Sequence, residues 1–373
     1  MMGDPAVITL NRPLQTLLIS VVVLASMLAT TILSSFRNNQ DSNNIAGAQI
    51  YLAARKDKKN PHFASPSPTP SPAPSTSPSP SPSPSSVPVT RPIKVGIVVN
   101  DYANRYGELS SLEASLGKSI STVSIYKQFG SKYNSNLVLD DLSYIKSKGM
   151  KLLLAWEPWN PEQGMNQSVD YLQAITQGQQ DTYIRSFANS VKTYGSPVTI
   201  RFGHEMNGNW YPWGNKPTQY ITSYRHVVDI FRQEGVTNVT WMWSINFENT
   251  PYSPISNVSS YYPGDDVVDA IGIDGYNWGS SQSWSTWKSF KDIFIPSYNF
   301  LTSTYFKPLV VAETASTELG GNKPLWIEEM FKDSLTNSFT KITEVVWFNI
   351  LKETDWRINS TDASLQSFKT NMP

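Results

Sequence analysis

From Ile93 onward, short apolar runs alternate with longer amphipathic ones, and this alternation limits the possible folds more than any other feature of the chain. Eight runs are predicted strands: Lys94–Val99, Thr122–Gln128, Lys151–Trp156, Val198–His204, Asn238–Ser244, Ala270–Asp274, Leu309–Ala312 and Glu344–Phe348. Between them, LVLDDLSYIKSKG, QDTYIRSFANSVKTYG, TQYITSYRHVVDIFRQEG and KPLWIEEMFKDSL place apolar residues at helical spacing, and three of the four close on glycine. Eight strand-helix units in roughly 280 residues predict an α/β protein, a closed (β/α)8 TIM barrel. A doubly wound open sheet is the runner-up, but IVVNDY at the first strand carries no Gly-rich phosphate loop.

The N-terminal quarter has a different character. After a short tail, 1–13, the stretch LQTLLISVVVLASMLATTIL (14–33) holds no charge and is long enough to cross roughly 30 Å of hydrocarbon as a helix. It predicts a transmembrane signal-anchor over 14–36. A cleaved export signal is the rival reading, although its apolar core is usually shorter, about 7–15 residues. Arg12 precedes the span, whereas Arg37, Arg55, Lys56, Lys58 and Lys59 follow it, so charge counting does not put the C-terminal part outside the cell. Residues 37–92 are expected to be a disordered juxtamembrane and Pro/Ser-rich linker, because SPSPTPSPAPSTSPSPSPSPSSVP (65–88) cannot bury a core or pair as strands. Such a segment favours extended chain at about 3.1 Å per residue and suits a spacer.

Thirty basic and thirty acidic residues balance, with no basic face for phosphates, so a nucleic-acid partner is excluded from the expectations. The absence of cysteine removes disulfides and thiol redox chemistry without fixing a compartment. Aromatics are abundant, with 12 Trp and 18 Tyr.

RFGHEMNGNWYPWG (201–214) opens like the zinc-protease pattern H-E-x-x-H, but Gly208 stands where the second histidine belongs. With only His62, His204 and His226 in the chain, a zinc site has few ligands to draw on. The active site of a (β/α)8 barrel lies at the C-terminal ends of its strands. Glu205 ends the fourth predicted strand and Glu313 the seventh. Two carboxyl groups at a barrel mouth can flank one glycosidic bond, one protonating the leaving oxygen and one attacking the sugar. Either could instead serve an ion pair. The competing acids are Glu157, Asp274 and Asp355.

Pyranose rings present C–H faces that stack on aromatic planes, and the aromatics cluster at strand ends. WEPW (156–159), NWYPW (209–213) and YNW (276–278) follow strands three, four and six, and Trp347 lies within strand eight. Trp241 and Trp243 read as core or support. Arg201 is expected to pair with a catalytic carboxylate, and His204 to point away from Glu205.

RFGHEMNGNWYPWG, IGIDGYNWG (271–279), VAETASTELGGNKPLWI (311–327) and VVWFNILKETDWRI (345–358) together resemble glycoside hydrolase family 26. The resemblance covers about residues 93–373 and implies a (β/α)8 catalytic domain over that span. It implies a retaining double displacement with Glu205 as acid/base and Glu313 as nucleophile, their carboxyl groups about 5–5.5 Å apart. It further implies that His204 contacts the sugar along with Trp210, Tyr276 and Trp347, with no catalytic metal or organic cofactor; Trp156 and Trp213 join the expected substrate contacts from their strand-end clusters, with Arg201 and Asn207 as expected support.

The implied partner is a β-linked polysaccharide: mannan or glucomannan first, through endo-β-1,4-mannanase activity, and mixed-linkage β-1,3-1,4-glucan second, with β-1,3-xylan also within the family's range. That substrate places the barrel outside the cell, held to the lipid bilayer by residues 14–36, or secreted if the signal is cleaved. A catalytically silent, membrane-tethered polysaccharide-binding domain is the alternative of another class. Retention of two buried carboxyl groups argues against it, since a pure binder would bear their desolvation cost.

Overall fold

The computed structural model describes residues 93–99, 105–132 and 134–373. The expected anchor and linker, 14–36 and 37–92, lie outside the described residues. Among the described residues no helix is long and apolar enough to cross a membrane.

Eight parallel strands close into one barrel in chain order. They are β1 (Lys94–Val98), β2 (Thr122–Gln128), β3 (Lys151–Glu157), β4 (Val198–Phe202), β5 (Val239–Asn246), β6 (Ala270–Asn277), β7 (Leu309–Ser316) and β8 (Ile342–Phe348). Closure comes from β1 pairing with β8, Lys94 opposite Glu344 through Val98 opposite Phe348. A closed parallel sheet leaves no edge strand exposed, and both of its faces are buried. That is why the strands read as near-continuous apolar runs rather than as alternation.

Helices form the outer layer, and their sequences say why. The helix Asp181–Tyr194 buries Ile184, Phe187, Ala188, Val191 and Tyr194, a stripe at helical spacing, and stops at Gly195 in the left-handed conformation. The helix Pro217–Gln233 starts on proline, whose missing N–H costs nothing at that position, and buries Tyr220, Tyr224, Val227, Val228 and Phe231. The helix Phe290–Thr304 opens with a capping box between Ser289 and Asp292.

Because successive side chains of a strand point to opposite faces, each strand assigns its residues to the barrel interior or to the helix layer. On β3, Glu157 faces inward, which sends Trp156 outward against Phe187, with ring centroids 4.3 Å apart. On β4, Arg201 faces inward and Phe202 packs outward on Tyr220 and Tyr224. On β8, Phe348 faces inward toward Tyr276, 5.6 Å away, and Trp347 packs outward on Trp326 and Phe368.

One strand breaks this rhythm. Between Val311 and Glu313, β7 holds one residue more than either neighbour: Ile273 pairs with Val311 and Asp274 with Glu313, while Val345 pairs with Val311 and Trp347 with Thr314. Ala312 already lies on the inner face, where it would meet a side chain placed at Gly272. Strict alternation would therefore turn Glu313 outward, and the bulge turns it back into the barrel mouth.

Candidate active site

The sequence expectation ended the fourth strand at His204, but β4 stops at Phe202. Gly203 and Glu205 both have φ of 54°, so the chain turns sharply through a left-handed conformation before any helix begins. For a glutamate that conformation costs on the order of 1–2 kcal/mol, and such strain concentrates at functional sites. The turn is held by surrounding structure: the Glu205 N–H donates to the Ser244 carbonyl at 2.9 Å, and the Gly208 N–H to the Glu205 carbonyl at 2.9 Å.

Gly208, which broke the zinc pattern, has a packing role. A Cβ there would lie 2.4 Å from the Trp210 ring, so only glycine lets the indole lie across the turn. From that position Trp210 Nε1 donates to Glu205 Oε2 at 2.6 Å. Asn207 ties the same turn to the end of β5: its Nδ2 donates to the Asn246 carbonyl at 2.9 Å, and its Oδ1 accepts from the Asn246 N–H at 2.9 Å.

Glu313 is held by three neighbours. Arg201 pairs with it, and the hydroxyls of Tyr126 and Tyr276 donate to its two oxygens. Arg201 also reaches Asp274 at 2.8 Å, with both side chains fully buried. Burial opposes the Arg201 charge, but Asp274, Tyr126, Tyr276 and Glu205 outweigh it and hold the guanidinium above its ordinary range. This cation is therefore permanent, and in a site excluded from water it stabilises negative charge on Glu313 strongly.

His204 turns toward β3. Its Nε2 lies 3.9 Å from Glu157 Oε1, and its ring meets Tyr211, Tyr126 and Trp213 at centroid distances of 5.1, 6.0 and 6.0 Å. His204, Asp274 and Glu313 each bring a potential ligand atom within 4.8 Å of the others. Both carboxylates of that cluster already pair with Arg201, so this donor set is poorly suited to a metal ion. Glu157 is fully buried and accepts from Gln128 at 2.8 Å and from the Trp159 indole at 3.2 Å. Burial raises its carboxyl to about 7, against the lowering influence of those two donors and of Arg201 and Lys352.

The structure thus brings together Arg201, His204, Glu205, Trp210, Tyr276 and Glu313 at the C-terminal mouth, with Asn207 supporting the turn. Trp213 borders the site: it stacks on Tyr211 at 4.1 Å and donates to the His204 carbonyl at 2.8 Å. Two expected substrate contacts are corrected. Trp156 and Trp347 point into the helix layer, because their strand neighbours Glu157 and Phe348 take the inward positions. Their places near the site fall to Trp159, packed edge-on against Tyr211 and Trp213, and to Trp356, 5.2 Å from Tyr276. Trp241 and Trp243 sit in the outer aromatic packing. Asp355, the other competing acid, forms a two-pronged pair with Arg357 and leaves the mouth. Tyr126 was missed, although TVSIYKQ places it on the same face of β2 as Ser124 and Gln128. Beside the mouth, a cleft of about 350 Å³ runs between the loops after β3 and β4, lined in part by Met165, Gln167, Asn209, Tyr211 and Trp213.

A (β/α)8 barrel that presents two glutamates from its fourth and seventh strand ends, one against an arginine and one against an indole, has the build of a glycoside hydrolase. The chain belongs to glycosyl hydrolase family 26, whose model matches residues 98–302. It is 42% identical over 236 residues to "Endoglucanase H" of Acetivibrio thermocellus, a match covering 60% of this chain and 24% of that protein. It is 28% identical over 125 residues to a "Beta-1,3-xylanase" of Alcaligenes sp, covering 31% of this chain and 25% of that protein. The chain thus spans about a quarter of the length of these curated relatives. Among solved structures, a family 26 β-mannanase from Bacteroides ovatus superposes with a TM-score of 0.58 at 17% identity, covering 88% of this chain and 92% of that one. At that identity the likeness concerns the fold.

Proposed function

We propose that this protein is a retaining endo-acting glycoside hydrolase that cleaves β-linked glucan by double displacement. The observation that carries the reading is the unequal environment of the two glutamates. Glu313, charged and oriented by Arg201, Tyr126 and Tyr276, is the nucleophile. Glu205, oriented by the Trp210 indole, is the acid/base. In the first step Glu313 forms a bond to the anomeric carbon as Glu205 gives its proton to the departing glycosidic oxygen. In the second, Glu205 takes a proton from water, whose oxygen displaces Glu313 and restores the original configuration. Arg201 and the two tyrosines hold Glu313 before attack and receive its charge again on release.

Sequence alone put mannan first. The similarity to Endoglucanase H, longer and higher than to the other relatives described, favours glucan, with mixed-linkage β-1,3-1,4-glucan as the form the family resemblance implies. Mannan is the second reading, supported by 30% identity over 99 residues to a "Mannan endo-1,4-beta-mannosidase A and B" of Caldalkalibacillus mannanilyticus. The cleft beside the mouth, open between two loops, suits a polymer that continues past the cleavage point. The uncharged stretch 14–33 and the Pro/Ser segment 65–88 support a membrane-tethered enzyme, and the polysaccharide substrate is the reason for reading its barrel as outside the cell.

The test is reducing-sugar release by the full chain from barley mixed-linkage glucan, glucomannan, galactomannan and β-1,3-xylan, with Glu313→Ala in parallel. Cleavage of mixed-linkage glucan in preference to the others, lost in the variant, is the expected result. Preference for a mannan would replace the substrate reading. Binding to a polymer without release from either protein would replace the enzyme with a carbohydrate-binding domain.

A further inference from the structure

Lys323, the first residue of the helix Lys323–Glu329, is a lysine with no exposed surface. Two things oppose a cation there: burial strips its water, and the free N–H groups of a helix start favour anions. The proposed double displacement makes no use of it. Its ammonium has three N–H groups, and each finds an acceptor in the segment after β8: the Arg357 carbonyl at 2.7 Å, the Ser360 hydroxyl at 2.8 Å and the Asp355 carbonyl at 3.4 Å. Ser360 in turn donates to Glu318 at 2.6 Å, and the same carboxylate oxygen accepts from Ser364 at 2.6 Å and Thr361 at 3.1 Å. Lys323 and Glu318 together tie the segment after β8 to the segment after β7.

The two carbonyls that Lys323 holds belong to the residues on either side of Trp356. The carbonyl of Trp356 itself accepts from the Trp347 indole at 2.7 Å, and the Trp347 ring lies 5.7 Å from the ammonium. Three successive carbonyls are therefore held, two of them by Lys323, so that loss of the Trp347 bond alone leaves both flanking peptides in place. The Trp356 ring meets Tyr276 at 5.2 Å and Trp278 at 4.8 Å. Tyr276 is one of the donors to Glu313. A phenol hydroxyl moves with the tilt of its ring, and Trp356 bounds that tilt together with Phe348, 5.6 Å from Tyr276.

We propose that Lys323 is a positioning residue for the nucleophile: by holding the carbonyls on either side of Trp356 it sets that indole against Tyr276, and so aims the hydroxyl that Tyr276 gives to Glu313. This rests on the mouth being the catalytic site of the proposed hydrolase. The charged groups around Lys323 are Glu318 from the segment after β7 and Asp355 and Arg357 from the segment after β8. Burial lowers the Lys323 ammonium to about 8, against the raising influence of Glu318 and Asp355, with Arg357 adding to the lowering. Below that pH the ammonium serves all three acceptors. Above it the neutral amine has two N–H groups left, and the hold on the segment is incomplete.

The experiment combines kinetics of the full chain with NMR of the indole N–H groups. Lys323→Met keeps the length of the side chain and removes a buried charge, a change that cores often tolerate. It should shift the Trp347 and Trp356 indole signals and leave that of Trp243, in the outer aromatic packing, where it was. It should lower kcat about tenfold with little change in KM, on polymer and on an activated aryl glycoside alike, because the nucleophile is misplaced in both reactions. If Lys323 acts through Tyr276, adding Lys323→Met to Tyr276→Phe should cost nothing further. Wild-type kcat in Lys323→Met, unmoved indole signals, or losses that multiply in the double variant overturn the proposal. Should the variant not fold, the wild type decides: as pH rises through about 8 the two indole signals should step together and kcat fall with them, and signals and kcat that stay flat overturn it. If no substrate is cleaved, the hydrolase reading fails, and the indole signals still judge whether Lys323 holds Trp356.

Discussion

Glu205 and Glu313 reach the same mouth by different means. Glu313 stays within its strand and is turned inward by one extra residue in β7, whereas Glu205 leaves its strand and is aimed by a left-handed turn. Glu313 meets a permanent cation and two phenol donors; Glu205 meets an indole N–H. A carboxylate that must attack needs its charge stabilised before reaction begins. One that must surrender a proton needs a surrounding that tolerates its neutral form. On the proposed mechanism, the difference between the two strand ends is a difference of chemical role, expressed through what each backbone distortion brings alongside.

The strongest test of this contrast removes each glutamate. Glu313→Ala should lower kcat by about 10⁴-fold or more on every substrate, as loss of a nucleophile does. Glu205→Ala should cost about 10²–10⁴-fold on polymer but far less on an aryl glycoside with an acidic leaving group, which departs without protonation. Equal losses on both substrates for both variants would erase the distinction. Next comes Arg201→Lys, which keeps a charge but cannot bridge Asp274 and Glu313 with one planar fork. Misplacing the nucleophile should cost roughly 10²-fold in kcat, read by steady-state kinetics.

Trp210→Phe keeps the ring and deletes the donor to Glu205. It should cost roughly tenfold on polymer, the value of one hydrogen bond of about 1.5 kcal/mol, and little on the activated glycoside. The smallest effect on rate is expected at Trp347. Trp347→Phe should leave kcat and KM unchanged while lowering stability by about 1 kcal/mol or more in thermal unfolding, because its indole donates to the Trp356 carbonyl at 2.7 Å within the helix layer. A raised KM would put Trp347 back in the substrate site.

Much of this architecture was legible. Every strand was placed within a few residues, since a barrel buried on both faces writes its strands as apolar runs. The errors lie where chemistry interrupts that pattern. β4 was extended through His204 because RFGHE reads as one continuous run, and nothing short of the φ values at Gly203 and Glu205 reveals the turn. The apolar run of β7 stops at Ala312, whereas Glu313 and Thr314 are both buried within the strand, which runs on to Ser316. The bulge that aims Glu313 leaves no mark in VVAET.

The misassigned tryptophans carry another lesson. Trp156 and Glu157 are consecutive on β3, as Trp347 and Phe348 are on β8, so one of each pair must face the helices. Parity could have sorted them once an inward anchor was chosen. It could not have singled out Trp356, which reaches Tyr276 from the loop after β8.

The central claim is a double displacement in which Glu313 attacks and Glu205 transfers protons. The most direct measurement is proton NMR of the reducing ends released in the first minutes of cleavage of the β-linked polymer, before the anomers equilibrate. The account predicts that the β-anomer appears first and the α-anomer follows by mutarotation. Initial release of the α-anomer would mean a single displacement by water, and Glu313 could not then be the nucleophile.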